Sequence, residues 1–69
     1  MKVAKIKKPE VQKLLSQFRK LGFDVNKKFD SIYEVYDPDT GSLVFCAMNG
    51  RYDYLCRYDP EIVSADVNK

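Results

Sequence analysis

The chain contains no histidine and no tryptophan. Without histidine it lacks the commonest general base near neutral pH and the commonest metal ligand. The nucleophiles that remain are two cysteines, serines and lysines, with no evident base to activate any of them. An enzyme is therefore not expected, nor is a metal or other cofactor. Glycines stand singly at 22, 41 and 50, so no phosphate-cradling loop is present. Three Gly and three Pro are too few for a disordered or fibrous chain. No apolar run approaches the ~20 residues of a membrane span. The Lys-rich stretch Met1–Glu10 has neither the apolar core nor the cleavage site of a secretory signal. A cytoplasmic location follows as the expectation.

What the 69 residues do contain suits one small domain. Residues 1–8 form a basic leader, and Pro9 stands where a first helical turn tolerates a missing N–H. Val11, Leu14, Leu15, Phe18 and Leu21 recur at intervals of three and four, the stripe of an amphipathic helix over 9–21. Gly22 follows as a left-handed terminator, with Arg19 and Lys20 in the last turn, where positive charge suits the carbonyl end. From 23 the period changes to two. Phe23 and Val25 make a short strand and Asn26–Asp30 a charged connection, followed by strands at Ser31–Asp37, Ser42–Met48 and Arg51–Tyr58. Asp37-Pro38-Asp39-Thr40-Gly41 has the residues of a tight turn, and Asn49-Gly50 reads as a two-residue hairpin turn. Asp59-Pro60-Glu61 starts a short helical turn running to about Ala65, with the tail completing 59–69. The expected fold is α+β: an N-terminal helix on a three- to four-stranded antiparallel meander, closed by a short C-terminal helical turn.

Two registers set the sheet faces. Around Asn49-Gly50, Met48 faces Arg51, Cys46 faces Asp53 and Leu43 faces Cys56, which puts the two thiols on opposite faces as unbridged small hydrophobes. If Asp37 pairs with Ser42, one face carries Ile32, Glu34, Tyr36, Leu43, Phe45, Ala47, Tyr52, Tyr54 and Cys56. The other carries Tyr33, Val35, Val44, Cys46, Met48 and Leu55 beside Arg51, Asp53 and Arg57. A one-residue change at that pairing exchanges the contributions of the 31–37 strand. One helix covers one face, so the second needs the tail or a partner. Tyr33, Val44, Met48, Arg51, Leu55 and Arg57 are the candidate partner-binding residues, since aromatic, Met and Arg side chains are enriched at interfaces.

Charge is unevenly spread along the chain. Residues 1–28 hold nine Lys/Arg against two acids, and residues 29–69 hold three against eight. This predicts a positive leader-plus-helix layer over a negative sheet. Lys5, Lys7, Lys8, Lys13, Arg19, Lys20, Lys27 and Lys28 are the candidate nucleic-acid contacts.

The run Leu14-Leu15, then Lys20-Leu21-Gly22-Phe23-Asp24-Val25-Asn26-Lys27-Lys28 and Ile32-Tyr33, resembles the opening of the HicA toxin family. The resemblance spans about Val11 to Gly41. It implies a double-stranded-RNA-binding-domain-like sheet and a nucleic-acid-facing helix. Where that family has Gly-Ser-His before the second strand, this chain has Phe29-Asp30-Ser31, so ribonuclease activity is not carried over.

The function expected from these readings is stoichiometric. A small non-enzymatic protein occupies a larger protein as an inhibitor or adaptor, of the kind phages and mobile elements encode; the partner could also be a second copy in a homodimer. The alternatives are a nucleic-acid binder using the basic helix and a HicA-like RNA binder without cleavage.

Overall fold

The computed structural model describes residues 1–29 and 31–63. The chain forms β1 (Lys2–Lys7), α1 (Lys8–Lys20), β2 (Asp24–Lys28), β3 (Ile32–Tyr36), β4 (Leu43–Asn49) and β5 (Asp53–Tyr58). All neighbours in the sheet are antiparallel, in the order β1-β5-β4-β3-β2. The α+β class is as expected, but the sheet has five strands rather than three or four. The basic leader is itself a strand: Ala4 and Ile6 point to the core while Lys5 and Lys7 face solvent. Residues 26–28 of the charged connection likewise belong to β2.

The topology follows from α1. It leaves β1 at one edge and delivers the chain to β2 at the other, and the meander β2-β3-β4-β5 then fills the gap until β5 pairs with β1. Val11, Leu15 and Phe18 bury one stripe of the helix, each contributing about 1.5–3 kcal/mol. Phe18 meets Phe45 with ring centroids 5.7 Å apart. The helix stops where the sequence says it should. Gly22 has φ +86°, its N–H donates to the Arg19 carbonyl, and the Phe23 N–H donates to the Phe18 carbonyl. These are the two bonds of a Schellman cap, and its customary apolar contact is the Phe18–Phe23 pair at 5.2 Å.

The first hairpin register begins as expected and then changes. Tyr36 pairs with Leu43, and the Asp37 N–H donates to the Ser42 carbonyl at 2.9 Å. Inside the turn, Asp37 Oδ1 accepts the Asp39 N–H at 2.8 Å and Gly41 takes φ +74°. Val35, however, pairs with Phe45, so Val44 is an extra residue in β4. This β-bulge turns both Val44 and Phe45 into the core and reverses the rest of β3. Val35 and Tyr33 therefore face the helix, while Ile32 and Glu34 lie on the opposite side, the reverse of the sequence reading.

The second hairpin is also corrected. Asn49 belongs to β4, the loop is Gly50–Tyr52, and the Gly50 N–H donates to the Asp53 carbonyl at 2.8 Å. Met48 pairs with Leu55 and Cys46 with Arg57, rather than with Arg51 and Asp53. The displacement is even, so every β5 side chain keeps its predicted face. Cys46 and Cys56 consequently lie on opposite faces as free thiols.

Residues 59–63 form a hydrogen-bonded turn and not a helix. Asp59 Oδ1 accepts the Glu61 N–H at 3.0 Å, and the Asp59 carbonyl accepts the N–H groups of Ile62 and Val63. Val63 is buried in the same core as α1. The expected continuation to Ala65 and the tail lies outside the described residues.

Candidate functional site

Alternation along the five strands leaves one sheet face without a helix among the described residues. Across it, one row reads Lys5, Leu55, Met48, Ile32, Lys28, and the next reads Val3, Arg57, Cys46, Glu34, Asn26. The centre of the first row is apolar, whereas the second sets Cys46 between Arg57 and Glu34, with Val3 at its edge. Val3, Met48 and Leu55 are 60%, 49% and 43% exposed, with Ile32 and Cys46 half-buried beside them. Among the described residues the C-terminal turn lies on the other side: Ile62 and Val63 line a cavity with Leu14, Phe18 and Leu21 of the helix.

The polar groups of this face divide into paired and unpaired. Glu34 Oε1 takes the Lys28 ammonium at 3.1 Å and the Tyr36 hydroxyl at 3.0 Å. The hydrogen bond from Lys28, then that from Tyr36, holds the Glu34 carboxyl below its usual range. The same contacts raise Lys28 and Tyr36. Among the described residues Lys5, Lys7 and Arg57 make no ion pair. Burial, then the nearby Glu34 charge, pushes the Cys46 thiol up, against an opposing pull from Arg57. Cys56, on the other side, is pushed up to about 12 by burial and donates weakly to the Tyr54 carbonyl at 3.6 Å.

Of the predicted partner-binding residues, Met48, Leu55 and Arg57 stand together on the open face. Arg51 is exposed in the β4–β5 loop. Tyr33 and Val44 do not belong with them. Tyr33 is half-buried against Tyr54, ring centroids 6.1 Å apart, and Val44 is in the core at the bulge. Val3 and Ile32 take their places. Val3 was missed because the leader was not read as a strand, although the alternation of Ala4 and Ile6 with lysines was the available signal. Ile32 was placed on the wrong face by the bulge.

The predicted basic set does not form one surface, and the expected positive layer over a negative one is not found. Lys5 and Lys7 lie on the open face of edge strand β1. Lys13 is exposed on α1 and pairs with Glu10 at 3.5 Å, while Arg19 and Lys20 sit at the helix's far end. Lys8 and Lys27 lie over the rings of Tyr54 and Tyr33, 6.0 and 5.7 Å from the centroids. Charge is instead polarised along the strands. Lys7, Lys8, Lys27, Lys28 and Arg51, with Asp53 and Glu10 among them, gather where β1, β2 and β4 end, and Asp24, Asp37, Asp39, Asp59 and Glu61, with Lys2, Arg19 and Lys20, gather at the other end.

A cavity of about 200 Å³ lies between α1 and the terminal turn, lined by Leu14, Gln17, Phe18, Leu21, Ile62 and Val63. It is smaller than the ~300 Å³ lower bound for small-molecule sites, and no titratable side chain lines it. No helix among the described residues is long and apolar enough to cross a membrane. No family model, curated protein or solved structure matches the chain.

Proposed function

We propose that the chain is a non-enzymatic binding protein that acts stoichiometrically, as an inhibitor or adaptor, by laying its helix-free sheet face on a larger protein. The observation that carries this reading is the row Leu55, Met48, Ile32, whose apolar side chains remain uncovered among the described residues and are bounded by Lys5 and Lys28 at the two sheet edges. The occupant is a protein segment with an apolar ridge flanked by carboxylates. Lys28 is already engaged by Glu34, whereas Lys5, Lys7 and Arg57 are unpaired against the single carboxylate of Asp53 on that side of the face. An acidic flank answers that imbalance.

Area argues against a second copy as the occupant. Five strands ~4.8 Å apart and about six residues at ~3.3 Å give roughly 450–500 Å² per side, about half of what a standard interface buries on each partner. A self-stacked pair would bury about 900–1,000 Å² in total, no more than the ~1,000 Å² minimum of a stable assembly. A larger partner can extend over the rim, where Arg51 is exposed. Two free thiols on opposite faces, unable to bridge, suit a reducing compartment such as the cytoplasm.

The test is a titration of isotope-labelled protein with a helical peptide bearing a leucine stripe flanked by glutamates, and with a lysine-flanked version. Saturable shifts at Val3, Ile32, Met48 and Leu55 with the acidic peptide alone support the reading, provided the double variant M48S/L55S folds and loses them. Equal binding of both peptides, shifts confined to α1, or a concentration-dependent dimer by light scattering that blocks the face would each overturn it.

A further inference from the structure

We propose that the strand end carrying Phe29 and Tyr52 is a binding site for single-stranded nucleic acid, separate from the open sheet face. Two hairpin tips meet there. Phe29 follows β2 and Tyr52 lies in the β4–β5 loop, and the tips are tied by the Asn49 N–H donating to the Ser31 carbonyl at 2.7 Å. Phe29 is 83% exposed and Tyr52 81%, the two most exposed large hydrophobic side chains among the described residues. Neither aromatic is explained by the fold. Phe29 holds φ +58°, a left-handed conformation that a bulky residue rarely adopts and that glycine or asparagine would meet freely. A turn built only to reverse the chain would not keep a solvated phenyl ring at such a position.

The cations supply the second half. Lys27 and Lys28 precede Phe29, Arg51 precedes Tyr52, and Lys8 begins α1 at the same end. Facing them among the described residues are Asp53, in the β4–β5 region, and Glu10, which Lys13 partly engages. Lys28 is shared with Glu34. Exposed π-faces interleaved with cations are what unpaired bases and their phosphates need, since stacking is open to every base and the charges follow the backbone. A duplex keeps its bases stacked on one another and cannot use the rings. The two strand spacings between the tips separate them by roughly 10 Å at ~4.8 Å per strand, so the rings engage different bases of one extended strand.

The experiment is fluorescence anisotropy of a labelled ten-nucleotide oligo-uridine and oligo-thymidine, with a duplex of the same length and phosphatidylserine vesicles as comparisons. The expected result is saturable binding of the single strands that weakens steeply as salt rises, with F29G and Y52A each reducing affinity between about 5- and 150-fold. F29G relieves the backbone, so its melting temperature should equal or exceed that of the parent, which separates lost binding from lost folding. R51A should weaken binding and K20A, at the far end of α1, should not. Undetectable binding of single strands at low salt, equal affinity for the duplex, full binding by a folded F29G/Y52A double variant, equal loss in K20A, or capture by the vesicles in place of the oligonucleotides would overturn the proposal. Loss of the peptide shifts in M48S/L55S with oligonucleotide binding intact would show that the two surfaces stand or fall separately.

Discussion

The bulge at Val44 makes a prediction that no other pairing of β3 shares. Because Val35 pairs with Phe45, its side chain is 0% exposed under the helix, while Glu34 beside it reaches the open face. Val35→Ala removes the equivalent of two methylene groups, about 1.6 kcal/mol at ~0.8 each. With the cavity left behind the loss becomes about 2–3 kcal/mol. A 69-residue domain has about 3.5–10 kcal/mol in total, so this single change removes a large share. With a urea slope of ~1 kcal/mol/M for a small domain, the midpoint should fall by about 2–3 M. Glu34→Ala should move the midpoint far less, since only contacts at the surface are removed. The assay is urea unfolding of both variants followed by circular dichroism. If Glu34→Ala proves the more damaging change, or Val35→Ala shifts the midpoint by less than about 0.5 M, the bulged register and the open face derived from it are wrong. Deleting Val44 should leave both pairings in place, because without the extra residue Tyr36 opposite Leu43 and Val35 opposite Phe45 become consecutive regular pairs, and the cost is the loss of the buried Val44 side chain.

Gly22→Ala should cost about 1–2 kcal/mol through backbone strain alone, since an added Cβ meets nothing within 4 Å; a melting temperature unchanged within 2 °C would contradict the left-handed cap. Native protein should consume one equivalent of a thiol reagent slowly at Cys46 and a second at Cys56 only on unfolding, given the half-buried and fully buried positions of the two; equal native reactivity would place Cys56 outside the core. The Glu34 staple should be pH-dependent with a defined sign. Its folded carboxyl lies below the usual range, so its stabilisation is complete above about pH 4.3 and is lost as pH falls through the lower folded value. Lys28 is raised, so its share is complete below about pH 10.4 and is lost as pH rises through the higher folded value. Urea midpoints of the parent and Glu34→Gln should therefore differ at pH 7 and converge at both extremes; a difference that persists at pH 2 would refute the pairing.

Much of this was legible in the chain because it is local. The stripe Val11, Leu15, Phe18 and the stop at Gly22 need only the helical period and one residue free to take a positive φ. The Asp37–Gly41 turn is written in side chains that bond their own backbone. The placement of Met48, Leu55 and Arg57 together survived an error in the loop, because a register displaced by an even number keeps alternation intact. What failed was non-local or one residue in size. Lys2–Lys7 looks like a charged leader until β5 returns to pair with it, since an edge strand shows only half the apolar pattern of a central one. The bulge leaves no mark in the residue types of β4, yet it exchanged Tyr33 for Ile32 on the open face.

The alternation of polar and apolar residues by itself determined that a helix would cover one side of an antiparallel sheet and leave another side wanting a cover. Only the tertiary structure decided which side chains lie on the side away from α1, and that cations and two solvated rings meet at one strand end. Both depend on register and strand order, which are set by pairings between residues far apart in the chain, and a single extra residue reverses a face without changing any local preference.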